Sequence, residues 1–400
     1  MRIPMPLTYT QALEWLFART RAGDERSRTR SIALLALLGH PDRSFRSVHV
    51  LGTNGKGSVS AMLNAGLQHS GSRVGLFTSP HLTDFRERVA VDGELIPAAA
   101  ILEFVDWAQL HAGGAAFFDL SFVMAMQHFA SRNVDWGVIE AGVGGANDAS
   151  NALSEVALTV LTNVDFDHEA VIGVGPEDSI LKNIALEKVS AIRAGGIVVT
   201  AATGEGLEVI RRVALEREAQ LHELDLGQPL FSLPKAPKLR GVHQLSNARV
   251  AVAALRLLGL DEPAVSAALE ATWPGRLELL RRGDQQVWLD GAHNPAGASA
   301  LAISLTGRFT LLFGAMERKN VPALLEPLLP LAQTLHLVSP GSLGADPHIL
   351  AARFGGTAFD SLETALSATL NTNNRVLIAG SLYLVGAARA KLLTAGFSAE

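Results

Sequence analysis

The stretch Gly52-Thr53-Asn54-Gly55-Lys56-Gly57-Ser58 follows the apolar run Ser47-Val48-His49-Val50-Leu51, and behind it Val59, Met62, Leu63, Gly66 and Leu67 recur at helical spacing. A strand, a glycine turn bearing one lysine and a helix N-terminus together form a cradle of backbone N–H groups for a polyphosphate. The glycines let the main chain approach phosphate oxygens, Lys56 brings a point charge, and the Ser58 hydroxyl is placed to ligate Mg²⁺. The general phosphate-loop spacing is not met, because Val50 stands where its first glycine belongs and Gly57 separates Lys56 from Ser58. The shorter pattern G-T-N-G-K-G-S is met throughout, which points to a nucleoside triphosphate.

With 400 residues the chain exceeds the size at which one core usually stops growing, so two domains are expected. Hydrophobic residues make up 48% and charged residues 18%, which excludes a disordered chain. The net charge of −5 comes without a basic cluster, so no nucleic-acid partner is expected. Without cysteine there is neither a disulfide framework nor a thiolate metal site, and no basic segment leads into a cleavable apolar stretch. A cytoplasmic protein fits these features, and with no run of eighteen apolar residues no membrane span is expected.

Short β-branched runs over 73–77, 136–139, 156–161 and 197–201 alternate with helical patterns near 99–110, 120–131, 177–193 and 204–217. Such alternation predicts a mostly parallel sheet with helices on both faces. A second series places strands over 286–289, 310–313, 334–338 and 375–379, with helices near 295–306, 346–353, 361–370 and 382–395. The expected fold is therefore α/β throughout, a nucleotide-binding domain over 1–278 followed by a smaller doubly wound domain over 279–400. The join falls near Trp273-Pro274-Gly275-Arg276, after helical stretches at 243–258 and 262–271 and before a charged turn over 281–284.

Ligands of open α/β sheets bind beyond the carboxyl ends of the strands. The strand over 136–139 delivers Glu140 into a loop with Gly142, Gly144 and Gly145; an exposed glutamate before a flexible turn would read the same. The strand over 156–161 runs into Thr162-Asn163-Val164-Asp165-Phe166-Asp167-His168, where carboxylates, an amide and an imidazole suit Mg²⁺, with His168 as a ligand. In the helix over 177–193, Ile180, Leu181, Ile184, Ala185, Ala191 and Ile192 form an apolar stripe with Lys188 near its centre. A lysine there either snorkels to the helix edge or is desolvated, and a desolvated neutral amine can react with CO₂ to give a carbamate, an anionic metal ligand. In the second half, Leu289-Asp290-Gly291-Ala292-His293-Asn294-Pro295 ends a strand: Asp290 could accept from a ribose or water with His293 orienting it, or the segment is a turn with a helix N-cap. Arg276 is placed to reach phosphates and Asn247 to read a base edge.

Taken together these segments resemble the Mur ligase superfamily and, within it, the folylpolyglutamate synthase/dihydrofolate synthase family. The resemblance rests on residues 52–58, Thr78-Ser79-Pro80-His81-Leu82 with Phe85-Arg86-Glu87-Arg88-Val89, Glu140 with its glycines, Asp167-His168, Glu187-Lys188, and His243-Gln244 with Asn247-Ala248. It continues through Pro274-Gly275-Arg276-Leu277-Glu278, residues 290–295, and Gly380-Ser381-Leu382-Tyr383-Leu384-Val385-Gly386, so it spans most of the chain in order. It implies a P-loop ATPase domain with a Rossmann-like second domain. Gly52, Thr53, Asn54, Gly55, Lys56, Gly57 and Ser58 would cradle ATP; Ser58, Ser79, Glu140, His168 and carbamylated Lys188 would hold Mg²⁺; Asn247, Arg276, Asp290 and His293 would contact nucleotide. Phe117, Asp148 and Ala149 fall on positions lining a pterin pocket, and Lys56, Lys188, His168 and Arg276 would carry the chemistry. The family pattern of Gly-Gly-Arg-Leu-Asp is replaced by Gly144-Gly145-Ala146-Asn147-Asp148, Asp119 replaces a glutamate, and the segment over 173–187 is lengthened.

The implied activity is ATP-dependent amide formation between L-glutamate and a folate-type carboxylate, dihydropteroate or a reduced folate, through an acyl phosphate, by a monomer. A UDP-muramoyl amino-acid ligase shares that chemistry; a nucleotide switch and an inert folate binder are alternatives of other classes. Asn163-Val164-Asp165 lacks the lysine expected of a guanine-reading switch.

Overall fold

The computed structural model describes residues 7–21, 27–372 and 375–400, which form two compact units. The larger comprises the described residues up to His81, then Phe85–Ala236 and Asn247–Glu270. Its strands are β1 (Arg46–Leu51), β2 (Val74–Phe77), β3 (Val89–Val91), β4 (Glu94–Leu95), β5 (Trp136–Glu140), β6 (Val156–Leu161), β7 (Ile197–Thr200) and β8 (Gln220–Glu223). They lie in the order β4-β3-β2-β5-β1-β6-β7-β8. Pairing is parallel along the row from β2 to β8, and β3 alone runs opposite, antiparallel to both β2 and β4. A parallel sheet covered on both faces buries every position, which is why β1 and β5 read as apolar runs rather than as alternating patterns. On one face, the helices Ala98–His111 and Phe117–Ser131 bring Phe104, Phe122 and Phe129 into a core with Phe77 and Ile139, and along the same face Ile184, Ala185, Val209, Ile210 and Val213 of the helices Ile180–Val189 and Gly204–Glu216 gather with Leu51, Leu161 and Val198.

The smaller unit comprises Leu82–Asp84, Pro237–Ser246 and Ala271–Glu400. Its strands are β9 (Glu278–Arg282), β10 (Gln285–Asp290), β11 (Phe309–Phe313), β12 (Ala332–Val338), β13 (Thr357–Phe359), β14 (Arg375–Ala379) and β15 (Ser398–Ala399), in the order β13-β12-β11-β14-β10-β9-β15. Five are parallel, and β9 and β15 add antiparallel at one end. Neighbouring residues of one strand fall in different cores, Leu311 and Phe313 on one side and Leu312 on the other, as the period-two pleat requires.

Both domains are α/β with mostly parallel sheets, as the alternation of elements predicts. Three local expectations change. The charged turn expected over 281–284 narrows to Gly283-Asp284, which joins β9 to β10 as a hairpin, while Arg281 and Arg282 belong to β9, since arginines are well tolerated on a strand near a sheet edge. The helix expected over 177–193 is confined to Ile180–Val189, because the Asn183 amide bonds Glu177 N–H and the Glu177 and Ser179 carbonyls and holds the preceding turn outside it. Ile180 consequently lies 47% exposed, off the buried stripe to which its spacing assigned it.

Candidate active site

Four adjacent strands, β2, β5, β1 and β6, end at the same sheet edge, and their loops carry nearly all the residues singled out in the first domain. The loop after β1 is stapled to the loop after β6. Thr53 N–H donates to the Asn163 carbonyl (3.0 Å), Asn54 N–H to Asn163 Oδ1 (2.8 Å) and Thr162 Oγ1 to the Asn54 carbonyl (2.6 Å). Thr53 Oγ1 also donates to the Asp165 carbonyl at 3.1 Å and lies 3.0 Å from the Asp165 N–H. Thr162, Asn163 and Asp165 therefore act as braces for the phosphate loop, a part that their polar character alone did not reveal.

Two glycines are required by this geometry. Gly55 adopts φ 85° and begins the helix Lys56–His69; a Cβ there would lie 2.3 Å from Asn247 Oδ1, so the Asn247 side chain sits against the loop. Gly52 adopts φ 140°, and a Cβ would lie 1.9 Å from Thr162 Oγ1. Its carbonyl accepts from Lys56 Nζ and from Lys188 Nζ, each at 3.1 Å, while Lys56 Nζ also reaches the Thr53 carbonyl at 3.1 Å. Two lysine nitrogens thus converge on one peptide oxygen.

Lys188 is 4% exposed. Burial, and then the like charge of Lys56, bring its pKa down to about 7; Asp167, Asp148 and Glu187 oppose the shift. The stripe reading of Lys188 as a desolvated amine agrees with this position, although the helix around it is shorter than its periodicity suggested. Glu140, at the end of β5, is also 4% exposed, and its Oε2 accepts from Ser79 N–H at 3.1 Å. His168, with φ 55°, opens the short helix Glu169–Ile172, its Nε2 3.8 Å from Asp167 Oδ2. Ser58 is buried in the first turn of its helix.

Of the residues matched to a pterin pocket, Phe117 stacks on Phe17 with ring centroids 5.4 Å apart, meets Phe85 edge-on at 6.0 Å and carries the Arg88 guanidinium 5.0 Å above its ring. Arg88 Nε in turn donates to His81 Nδ1 at 2.8 Å, so the FRER and SPHL segments form one aromatic and cationic wall with Phe117. Asp148 and Ala149 are fully buried. Asp148 Oδ2 accepts from Gly142 N–H (3.1 Å) and Val143 N–H (2.9 Å), so this carboxylate holds the glycine loop.

In the smaller unit, Asp290 ends β10 and its two oxygens accept from Leu277 N–H (2.9 Å) and Ala292 N–H (2.8 Å). This pins the segment containing Arg276 to the strand end, and a Cβ on Gly291 would lie 2.7 Å from Arg276 Nη1. His293 Nδ1 pairs with the Gly291 carbonyl at 2.9 Å, and Asn294 caps the helix Pro295–Ser304 through Gly297 N–H. The segment forms the turn and helix N-cap that its sequence allows, and His293 pairs with the Gly291 carbonyl rather than with Asp290. His243, at the start of the helix His243–Leu257, has its pKa lowered by burial, with Asp290 raising it and Arg276 lowering it further.

A phosphate-type loop with paired lysines in one α/β domain, beside a second doubly wound domain, defines the Mur ligase class, and residues 275–382 match the family described as Mur ligase, glutamate ligase domain. The dihydrofolate synthase/folylpolyglutamate synthase of Bacillus subtilis strain 168 is 31% identical over 433 aligned residues, covering 96% of this chain and 99% of that protein. The folylpolyglutamate synthase of Lacticaseibacillus casei is 30% identical, covering 97% and 99%. The structure of Mycobacterium tuberculosis folylpolyglutamate synthase complexed with ADP superposes with a TM-score of 0.85 at 28% identity, covering 98% and 99%. The chain belongs to the folylpolyglutamate synthase/dihydrofolate synthase family of ligases.

Proposed function

We propose that this ligase adds L-glutamate to a folate-type carboxylate, dihydropteroate or a reduced folate, at the expense of ATP. The observation that carries the reading is the convergence of Lys56 and Lys188 on the Gly52 carbonyl, inside a braced loop at the sheet edge where α/β proteins bind ligands. A carboxylate resists attack by an amine because oxide is a prohibitive leaving group. Its oxygen therefore attacks the γ-phosphorus of ATP and ADP leaves; the glutamate nitrogen then attacks the acyl carbon, inorganic phosphate departs and the nitrogen loses its proton. Such transfers are accelerated mainly by placement and by opposing the developing negative charge.

In this reading the N–H groups of residues 52–58 and Lys56 hold the phosphates, Asn247 bears on the base, and Arg276, Asp290 and His293 are further contacts to the nucleotide. The segment 1–278 would handle nucleotide and 279–400 the ligation. Phe117, with Phe17 and Arg88 packed on its ring, would line a pocket for a pterin or benzoyl ring together with Asp148 and Ala149.

Hydroxyl and carboxylate oxygens from Ser58, Ser79 and Glu140, with the His168 imidazole, are donors suited to Mg²⁺. Among the described residues no three His, Asp or Glu side chains group as a ready cation site, so the polyphosphate would complete the coordination. Bound there, Mg²⁺ would neutralise phosphate charge. Lys188, buried and close to Asp167, would enter that set as the carbamate formed from its neutral amine and CO₂ with loss of a proton. No helix among the described residues is long and apolar enough to cross a membrane; a monomer in the cytoplasm completes the reading.

The test is release of ADP from ATP, Mg²⁺ and L-glutamate with dihydropteroate or tetrahydrofolate supplied separately, and the mass of each product. An increment of one glutamyl residue, dependent on the acceptor and lost in Lys56→Ala, is expected. Phosphate release indifferent to either acceptor, or full turnover by Lys56→Ala, would overturn it.

A further inference from the structure

His49 lies in the interior of β1, three residues before Gly52, flanked by Val48 and Val50. Its Nε2 is 2.8 Å from Ser150 Oγ, and Ser150 Oγ is 2.5 Å from Asp148 Oδ1; all three side chains are fully buried. The direction of these bonds follows from the donors around Asp148. Its Oδ1 also accepts from Ser150 N–H at 3.0 Å, and its Oδ2 accepts from Gly142 and Val143 N–H, so the carboxylate is an acceptor on every side and the serine hydroxyl donates to it. The hydroxyl oxygen then accepts from His49, which fixes the Nε2–H tautomer. Burial, with Arg193 adding to it, lowers the His49 pKa to about 3, which keeps the ring neutral. Its Nδ1 has no hydrogen-bond partner among the described residues. An apolar residue at position 49 would avoid that cost, so the imidazole is retained for the single bond it makes.

That bond crosses the molecule's chemistry. At one end of the chain His49–Ser150–Asp148 is the strand that runs into the phosphate loop. At the other are the two amides that directly follow Glu140 and Ala141. Farther along the same loop, Gly145 packs so close to the helix of Lys188 that a Cβ would lie 2.4 Å from the Glu187 carbonyl. We propose that His49 and Ser150 are positioning residues: through Asp148 they fix the offset between the phosphate loop and the glycine loop 142–145, and so the place at which the acceptor carboxylate meets the γ-phosphate. The inference rests on the ligase reading above for its substrate, but the clamp itself is a statement about the loop. A buried hydrogen-bond chain transmits placement because each member is costly to leave half-satisfied.

The experiment compares His49→Leu, which removes the donor, with His49→Gln, whose Nε2–H can replace it, and with Ser150→Ala. Steady-state constants for ATP, glutamate and the folate acceptor are measured together with hydrogen exchange of the peptide containing Gly142 and Val143. His49→Leu and Ser150→Ala are expected to lower kcat/KM for the acceptor about tenfold while KM for ATP stays within twofold, to speed exchange in that peptide, and to be no worse when combined. His49→Gln is expected to recover most of the loss. Should one variant fail to fold, the other breaks the same chain. A lower Tm with acceptor constants and loop exchange unchanged reduces the three residues to core packing and overturns the proposal. If the unaltered chain glutamylates no folate acceptor, the ligase reading fails, and the exchange comparison still decides whether the clamp exists.

Discussion

Lys188 carries two obligations, burial and closeness to Lys56, and both favour the neutral amine. Lys188→Met is expected to reduce turnover at least 100-fold, and Lys188→Arg not to restore it, because a guanidinium neither loses its charge nor forms a carbamate. Partial recovery of Lys188→Ala by added acetate or formate would identify the missing group as an oxygen ligand; absence of any recovery, with normal folding, would argue that the amine itself acts. Gly55→Ala sets a Cβ against the Asn247 amide at φ 85°, where an L side chain costs about 1–2 kcal/mol before any clash. About a tenfold rise in KM for ATP with little change in KM for glutamate is expected from initial rates. Both residues were legible in the chain: Gly55 from its place before a lysine and a helix, Lys188 from its place in an apolar stripe. His49 was not, because a strand buried on both faces has no periodicity to mark a polar intruder, and its partner Ser150 lies 101 positions away.

Elements hold these residues at their angles. The helix Ile180–Val189 ends under Arg217, whose Nη1 donates to the carbonyls of Val189 (3.2 Å), Ser190 (3.0 Å) and Ile192. Charged donors on helix-end carbonyls contribute roughly 1.5–3 kcal/mol each at most, so Arg217→Met is expected to lower the unfolding free energy by about 2 kcal/mol and to weaken catalysis through Lys188. Urea titration and kcat report the two effects. At the start of the helix Phe117–Ser131, Asp119 is buried 3.7 Å from Arg30, and desolvation raises its pKa to about 6. Between the ordinary 3.8 and about 6 the folded chain retains a proton that the unfolded chain releases, so this group's contribution falls as pH rises through that window. Asp119→Asn should therefore gain on the unaltered chain between pH 4 and pH 6.5 and run parallel above it; denaturation midpoints across that range are the check, and parallel curves throughout would remove the assignment. The central parallel strands were readable because four or five consecutive buried residues, most of them apolar, leave a clear signal. The short strands β3, β4, β8, β13 and β15 were not, nor were the helices Tyr9–Arg21 and Arg28–Leu37: short pairings offer no period, and the outward apolar residues Phe17, Ile32 and Leu37 blur the stripe.

For the whole molecule, two α/β units with separate cores put nucleotide affinity in the stability of the larger one. A non-hydrolysable ATP analogue with Mg²⁺, at 100 times its Kd, should stabilise that unit by about 2.7 kcal/mol, and Lys56→Ala should lose most of the gain. Calorimetric scans with and without the analogue measure it, and an equal shift in the variant would place the nucleotide elsewhere. The alternation of elements made both sheets legible, whereas the return of 237–246 to the smaller unit left no compositional mark. One feature of these sheets bears on handling the protein. Their four outermost strands, β4, β8, β13 and β15, are only two to four residues long, and β8 ends in Glu223, paired with Arg211. A finished molecule therefore shows neighbours almost no open backbone to zip onto and should tolerate concentration and storage. A half-folded one, its long middle strands not yet flanked, has no such protection, so losses to clumping belong to refolding rather than to the shelf.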